Sequence, residues 1–297
     1  MSVSADSIGR RPAGVAGERT GAAPSPSPRL AFEDEPCPGA SWDDLDGELL
    51  ETCREALGYR GSDEGFLAEA GYLRNDALTN GAVIMFARSP NLLLPCARVH
   101  VGKFSAVSAG EEPICIRDLI LDGPLPILIS LAEETVAELT GHVTFLDTDG
   151  RLRQIRDYPR QTWVDGLIGA LMHRSYRSSS YVHITIFKDR MQIVSPGTPT
   201  REEDGSSTTT RTSLMESRNP RISHTLAALG ISRESVERDS TLFDHVTSLE
   251  HPVFDELDVL DGQSVRLTIK SNIGAWDQLL KENAVDGRML LSPIYSV

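Results

Sequence analysis

Strand-forming and helix-forming segments alternate from Cys96 to Lys270, and no glycine fingerprint joins a strand to a helix. A doubly wound parallel sheet that binds a dinucleotide carries such a fingerprint at its first strand–helix turn. We therefore predict an α+β fold, with a mixed or antiparallel sheet that carries its helices on one face.

Apolar spacing and turn residues place the individual elements. Residues 1–40 are rich in Ala, Gly, Ser and Pro and predict a disordered tail. The remaining chain divides into an N-terminal α+β region, 41–157, and a second region, 158–297. Strands are predicted at 96–104, 113–121, 181–187, 191–195 and 264–270, with a hairpin that turns at 147–150. Helices are predicted at 42–57, 62–73, 83–86, 125–139, 162–175, 220–229 and 275–282, and a mobile loop at 198–217.

Composition excludes several classes of protein. No apolar run reaches the roughly 18–20 residues that a membrane helix needs, so we expect no membrane partner. The four cysteines lie far apart, which argues against a zinc ribbon or a disulfide framework and favours a cytoplasmic protein. The net charge of −14 disfavours loose binding to nucleic acid. Residues 151–240 are the exception, because they carry a net positive charge, so if the chain binds an anion we expect it to bind there.

Four residues of chemical interest share one stripe of the helix predicted at 162–175. Asp165, Gly169, His173 and Tyr176 follow at spacings of four, four and three. Asp165 and His173 are candidates for acid–base catalysis, although an acid on a helix is usually solvated and a histidine is often bonded to backbone.

The segments "YPRQTWVDGLIGALMHRSY", "YVHITIFKDRMQIVSPG" and "SRNPRISHTLAALG" follow one another in an ordered series. This series resembles the divergent GHKL-type (Bergerat-type) ATP-binding domain of the RecG-like C-terminal family, which accompanies Schlafen-type AlbA domains in transcriptional regulators. The resemblance covers roughly residues 43–270 and assigns 158–297 to the ATP-binding domain. It implies an AlbA-type domain before this region and a winged helix after it, and we expect this chain to lack both.

In that family a carboxylate on the first helix activates water, and an Asn four residues later holds Mg²⁺ against the triphosphate. The resemblance places Asp165 at the carboxylate position and Gly169 at the Asn position. Glycine has no side chain to ligate a metal, and Mg²⁺ needs oxygen ligands in near-octahedral geometry. The resemblance therefore implies ATP as the cofactor but leaves Mg²⁺ without its protein ligand.

Other family motifs are kept in part. The resemblance implies a nucleotide-binding role for Gly169 and for seven further residues: Arg174, Tyr176, Ser195, Pro196, Gly197, Arg218 and Asn219. The glycine-rich phosphate loop expected after the next helix is missing from "LGISRESVERDSTLFDHV". Residues 206–210 stand where the family carries a mobile lid. Structural alternatives remain open, because Arg174 and Arg218 could form ion pairs with acidic residues and Tyr176 could belong to the core.

Four functions remain open. The first is a regulatory or ligand-binding protein whose degenerate pocket takes a nucleotide or another small anion, or whose fold serves a protein partner or a homo-oligomer. The second is an enzyme that reuses Asp165, His173 and Arg174 for acid–base chemistry on a small metabolite. The third is an active ATPase. The fourth is a DNA-binding transcriptional regulator, which rests on family association alone.

Overall fold

A computed structural model describes residues 30–105, 112–146, 152–198, 217–232 and 254–272. Seven α-helices lie in these ranges: α1 (Gly47–Ala56), α2 (Asp63–Glu69), α3 (Asn80–Phe86), α4 (Pro90–Leu93), α5 (Leu125–Leu139), α6 (Arg160–His173) and α7 (Pro220–Ala228). The strands are β1 (Leu73–Arg74), β2 (Ala77–Leu78), β3 (Arg98–Phe104), β4 (Cys115–Asp122), β5 (His142–Leu146), β6 (Leu152–Arg156), β7 (Val182–Ile186), β8 (Arg190–Pro196), β9 (Phe254–Leu260) and β10 (Ser264–Lys270). The predicted α+β class is confirmed.

Six of the strands form one sheet in the order β4-β3-β7-β8-β10-β9. The β3–β7 pair is parallel, and every other pair in the sheet is antiparallel, so the sheet is mixed. A parallel pair needs a crossover connection. Here α5, the β5–β6 hairpin and α6 lie between the two strands in the chain.

Helix α6 packs closely on the sheet because a glycine faces it. A Cβ atom built on Gly166 would lie 2.5 Å from Leu267 Cδ2 on β10 and 3.3 Å from Ile193 Cδ1 on β8. This face carries alternate buried residues of the strands, among them Val99 and Ile184. The close approach fixes α6, and therefore the candidate site on it, against the centre of the sheet.

The segment 31–40 differs from the expectation of a disordered tail up to residue 40. It contains a 3-10 turn at Phe32–Asp34, and Glu33 is fully buried. Cys37 N donates to Leu78 O at 2.8 Å, and Asn80 N donates to Glu35 O at 2.8 Å. A composition rich in Ala, Gly, Ser and Pro predicted a tail, but one buried carboxylate and two backbone hydrogen bonds tie this segment to the fold.

The predicted boundary between residues 157 and 158 falls between two neighbouring strands of the sheet, β3 and β7. Most of the predicted tail, the turn at 147–150, nearly all of the loop at 198–217 and the helix at 275–282 lie outside the described residues. Within the described ranges, no helix is both long enough and apolar enough to cross a bilayer.

Candidate functional site

The candidate site forms where the end of α6 meets the last residues of β8 and the start of α7. Ser195 Oγ donates to Ala170 O at 2.8 Å, and Ser175 N donates to Pro196 O at 2.6 Å. The end of β8 is thereby attached to the last turn of α6. The structure thus places the sequence-predicted residues Ser195, Pro196 and Gly197 beside the end of α6 at His173.

Asn219 closes the C-terminus of α6. Its side-chain Nδ2 donates to Met172 O at 2.8 Å and to Arg174 O at 3.0 Å, and the residue is 1 % exposed. The last carbonyls of a helix have no partner within the helix, so this amide satisfies two of them. In this conformation Asn219 holds α7 to α6 and has no free side-chain N–H for a ligand.

Arg218 lies beside the turn at Gly197. Its Nη1 donates to His173 O at 3.3 Å, and its Nη2 donates to Thr198 Oγ1 at 3.0 Å. Gly197 has a φ of +128°, and a Cβ atom there would lie 2.4 Å from Arg218 Nη1. The turn therefore needs glycine both for its backbone conformation and for the approach of the guanidinium. Arg218 is partly exposed and is the cationic group of this turn.

The N-terminus of α7 is occupied by a carboxylate from the N-terminal segment. Glu33 accepts a hydrogen bond from Arg221 N at 2.8 Å and another from Ile222 N at 3.0 Å. Pro220 has no N–H, so these are the first two amide donors of the helix. Burial raises the pKa of Glu33, and the two backbone hydrogen bonds act in the opposite direction. The anion position of α7 is thus filled from within the chain.

Asp165 lies about two turns, and Gly169 about one turn, before the end of α6 at His173. Asp165 Oδ1 accepts a hydrogen bond from Gln161 Nε2 at 2.7 Å, and Gly169 is buried. The described residues contain no group of three His, Cys, Asp or Glu side chains that could hold a metal ion. Because Gly169 supplies no side-chain oxygen, the residues present do not fit Mg²⁺.

Arg174 and Tyr176 are buried, with exposures of 0 % and 3 %. Arg174 Nη2 donates to Ser180 O at 2.6 Å, and its Cζ lies 4.6 Å from the centroid of the Tyr176 ring. Tyr176 Oη donates to Leu171 O at 3.1 Å. Both residues form part of a narrow crevice that also contains residues of α3 and α5, and Asp165 and His173 are not among its lining residues.

Sequence analysis missed a histidine cluster on the opposite face of the sheet. His100 Nδ1 and His183 Nδ1 lie 2.9 Å apart, and His100 Nε2 contacts the carboxylate of Asp118. Burial lowers the pKa of His183, and the nearby charges of His100 and Arg174 act in the same direction. One histidine on each of two predicted strands was visible, but only the register of β3 with β7 places them side by side.

Comparisons with known proteins agree with the resemblance stated from the motifs. Residues 179–247 match the family described as "Putative ATP-dependent DNA helicase recG C-terminal". This match supports the resemblance to the RecG-like C-terminal family, and the sheet and helices are consistent with a GHKL-like fold. No curated protein matches the chain.

A crystal structure of the DIP2311 protein from Corynebacterium diphtheriae is similar in fold, with a TM-score of 0.58 and 14 % sequence identity. The alignment covers 82 % of this chain and 48 % of that one, so this chain spans about half the length of its structural neighbour. At this identity the likeness shows the fold alone.

Proposed function

We propose that this chain is a regulatory, ligand-binding protein of the cytoplasm that takes an adenine nucleotide or another small anionic ligand at the junction of α6, β8 and α7. The family matched by residues 179–247 supports nucleotide binding. The preserved turn at Gly197 supports the location, because the Arg218 guanidinium beside it is partly exposed and can pair with a phosphate.

Hydrolysis by this site is expected to be slow or absent. The observation that carries this conclusion is Gly169, which stands where the resemblance expects the metal-ligating Asn. Asp165 remains at the carboxylate position, but its Oδ1 is already bonded to Gln161. Without a protein ligand for Mg²⁺ near it, the carboxylate lacks the partner that would orient a metal-bound triphosphate.

The arrangement of the other candidates also favours binding over acid–base chemistry. An enzyme that uses Asp165, His173 and Arg174 together would need the three side chains to line one cavity. Arg174 is instead fully buried in a crevice that the other two do not line. Glu33 already fills the anion position of α7, so we expect a bound phosphate to pair with Arg218 and not with the first amides of that helix.

The test is calorimetric titration of the full chain with ATP, once with Mg²⁺ and once with EDTA. We expect weak binding of similar affinity in both buffers and no release of phosphate above the buffer rate. Arg218→Gln should weaken binding by about tenfold, as expected when a charge-assisted contact to phosphate is lost. Arg190→Gln is the matched control, since Arg190 pairs with Asp189 at the other end of β8.

Three results would contradict the proposal. Turnover of ATP that depends on Mg²⁺ and disappears in Asp165→Ala would establish an ATPase. Absence of any binding heat on titration with ATP, ADP or inorganic phosphate would leave the fold as a protein-interaction module. A steeply salt-dependent mobility shift of duplex DNA would favour the transcriptional regulator.

A further inference from the structure

Strand β4 lies at one edge of the sheet and is exposed on both of its faces. Among the described strands it pairs only with β3. In a sheet that carries helices on one face, alternate residues of a strand are buried, as Val99 and Val101 of β3 are. On β4, by contrast, every residue from Cys115 to Ile120 is exposed. The helices on this side of the sheet therefore leave most of the strand uncovered.

Large apolar side chains are concentrated at this edge. Ten large hydrophobic side chains are exposed within the described ranges, and six of them lie between residues 114 and 131. They are Ile114, Ile116, Leu119, Ile120, Ile127 and Leu131, with exposures of 37–71 %. Together they expose on the order of 500 Å² of apolar surface, which is comparable to the largest apolar patches of monomeric proteins, and such patches are often functional. We call residues 114–131 the β4 strip.

The apolar side chains of the β4 strip lie on both sides of the sheet. Directly opposed residues of antiparallel strands share a face. Ile120 is opposite His100 and so lies on the open face, whereas Leu119 is opposite the buried Val101 and lies on the face that carries the helices. Two more of the six lie on α5, which packs against β4. A strand that pairs with this edge would therefore find apolar contacts on both of its faces.

The β4 strip carries little charge in a strongly acidic chain. Its charged residues are Arg117, Asp118 and Asp122, whereas the whole chain has a net charge of −14. Asp118 contacts His100, and Asp122 Oδ2 lies 3.7 Å from Arg98 Nε, so both carboxylates have a partner within the chain. Such a surface offers no charge complementarity to nucleic acid or to a highly charged protein. A second copy of the chain can approach here with less repulsion than elsewhere on an acidic molecule.

The sequence of β4 is self-complementary in one alignment. In an antiparallel pair of identical strands about a two-fold axis, one residue faces its own copy at the axis. An axis at Arg117 or Asp118 opposes that charge to itself, and an axis at Ile120 opposes Asp118 to Asp122. An axis at Leu119 opposes leucine to leucine and sets each neighbouring charge opposite an apolar residue. This alignment lies within 117–122, the part of β4 that follows the register shift in its pairing with β3.

We propose that β4 is the interface of a homodimer, in which two copies pair this strand antiparallel about a two-fold axis at Leu119. The pairing supplies backbone partners to both open edges and joins the two described six-stranded sheets into one. The outer edge of an eight-residue strand, about 26 Å long, adds backbone to the apolar surface of the strip. The total approaches the roughly 800 Å² that each partner buries in a stable interface.

This interface goes beyond the proposed function and is independent of it. Strand β8, which leads into the turn at Gly197, is separated from β4 by β3 and β7. Pairing at β4 therefore leaves the junction of α6, β8 and α7 accessible. We expect Ile120→Lys to bind ATP as the wild type does, so the dimer and the nucleotide site can fail separately.

The test is sedimentation velocity of the full chain from about 1 to 100 µM, where the weaker interfaces of standard size dissociate. We expect a species of twice the chain mass that grows with concentration, and no larger species. Leu119→Lys should raise the dissociation constant at least about tenfold, because two lysines would face each other at the axis. Ile120→Lys should act in the same direction from the open face. Val259→Lys is the matched control, since Val259 is 50 % exposed on β9, the opposite edge of the described sheet, and should leave the dimer unchanged.

Oxidative crosslinking tests the alignment. Cys115→Ser first removes the exposed cysteine, and the other three cysteines are buried. In this background Leu119→Cys should form an intermolecular disulfide, because the Cβ atoms of directly opposed residues lie about 4.5–5.5 Å apart. Arg117→Cys is the control, since four residues of strand would separate its two copies by about 14 Å and prevent a disulfide.

The proposal is overturned if the wild type sediments as a monomer throughout, or if both lysine variants, shown to be folded by thermal unfolding, dimerise as Val259→Lys does. A dimer that crosslinks through Arg117→Cys and not through Leu119→Cys also refutes it. Hydrogen exchange identifies what takes its place in a monomer. Protected β4 amides would assign the edge to another segment of the same chain, and unprotected amides would leave it to a different protein.

Discussion

Replacing Glu33 by alanine should destabilise the chain far more than a surface acid would. The carboxylate is fully buried and accepts two backbone N–H groups of α7, at 2.8 and 3.0 Å. A hydrogen bond to a charged group contributes about 1.5–3 kcal/mol to stability. The cost of burying the carboxylate offsets part of this stabilisation. The buried Ile222 N–H would also lose its acceptor. We expect a loss of about 2–4 kcal/mol, a large share of the roughly 5–15 kcal/mol that stabilises a typical domain.

The assay is urea unfolding followed by tryptophan fluorescence, for which Trp163 is a reporter at 2 % exposure. Glu35→Ala is the matched control, because Glu35 lies two residues away and pairs with Arg177 on the surface. Exposed ion pairs contribute about 0–1 kcal/mol, so the control should change little. If Glu33→Ala costs no more than Glu35→Ala, the carboxylate does not hold α7 and the assignment of the N-terminal segment to the fold is refuted.

Two further results are expected. Burial raises the pKa of Glu33 above its ordinary 4.5, so the folded chain holds this proton more tightly than the unfolded chain and wild-type stability falls as pH rises from about 4.5 through the raised pKa. Glu33→Gln cannot ionise and should remove that part of the slope in urea unfolding between pH 4.5 and neutrality; an unchanged slope would assign it to other groups. Asn219→Ala should cost about 2–3 kcal/mol in the same assay, because Met172 O and Arg174 O lose their donor. Binding of ATP by an unchanged, fully stable Asn219→Ala would show that this amide is dispensable.

Local elements were predictable because their signals lie close together in the sequence. The strand at 264–270 matches β10 at both ends. Ser62 caps α2 by accepting from Gly65 N, and Thr79 caps α3 by accepting from Ala82 N. Predicted helix ends were less accurate: 162–175 is shifted by two residues from Arg160–His173, and 42–57 begins five residues before α1 does at Gly47. Hydrophobic period and capping residues suffice for this level of detail.

Contacts between distant residues were not predictable. Glu33 reaches Arg221 across 188 residues, and nothing near Glu33 in the sequence indicates a buried acceptor. The resemblance did not reveal that Arg174 is buried in a crevice that the residues of the Gly197 turn do not line. Burial of a charged side chain depends on how helices meet, and sequence spacing does not encode that geometry.

The parallel pairing of β3 with β7 limits where this chain can be divided. His100 and His183 are neighbours in the sheet but stand 83 positions apart in the chain. The inner strand β7 of the region 158–297 therefore has one of its two neighbours, β3, in the region 41–157. A protease cut or an expression boundary near residue 157 that separates the two regions would leave β7 without β3 and expose unpaired backbone groups along that strand.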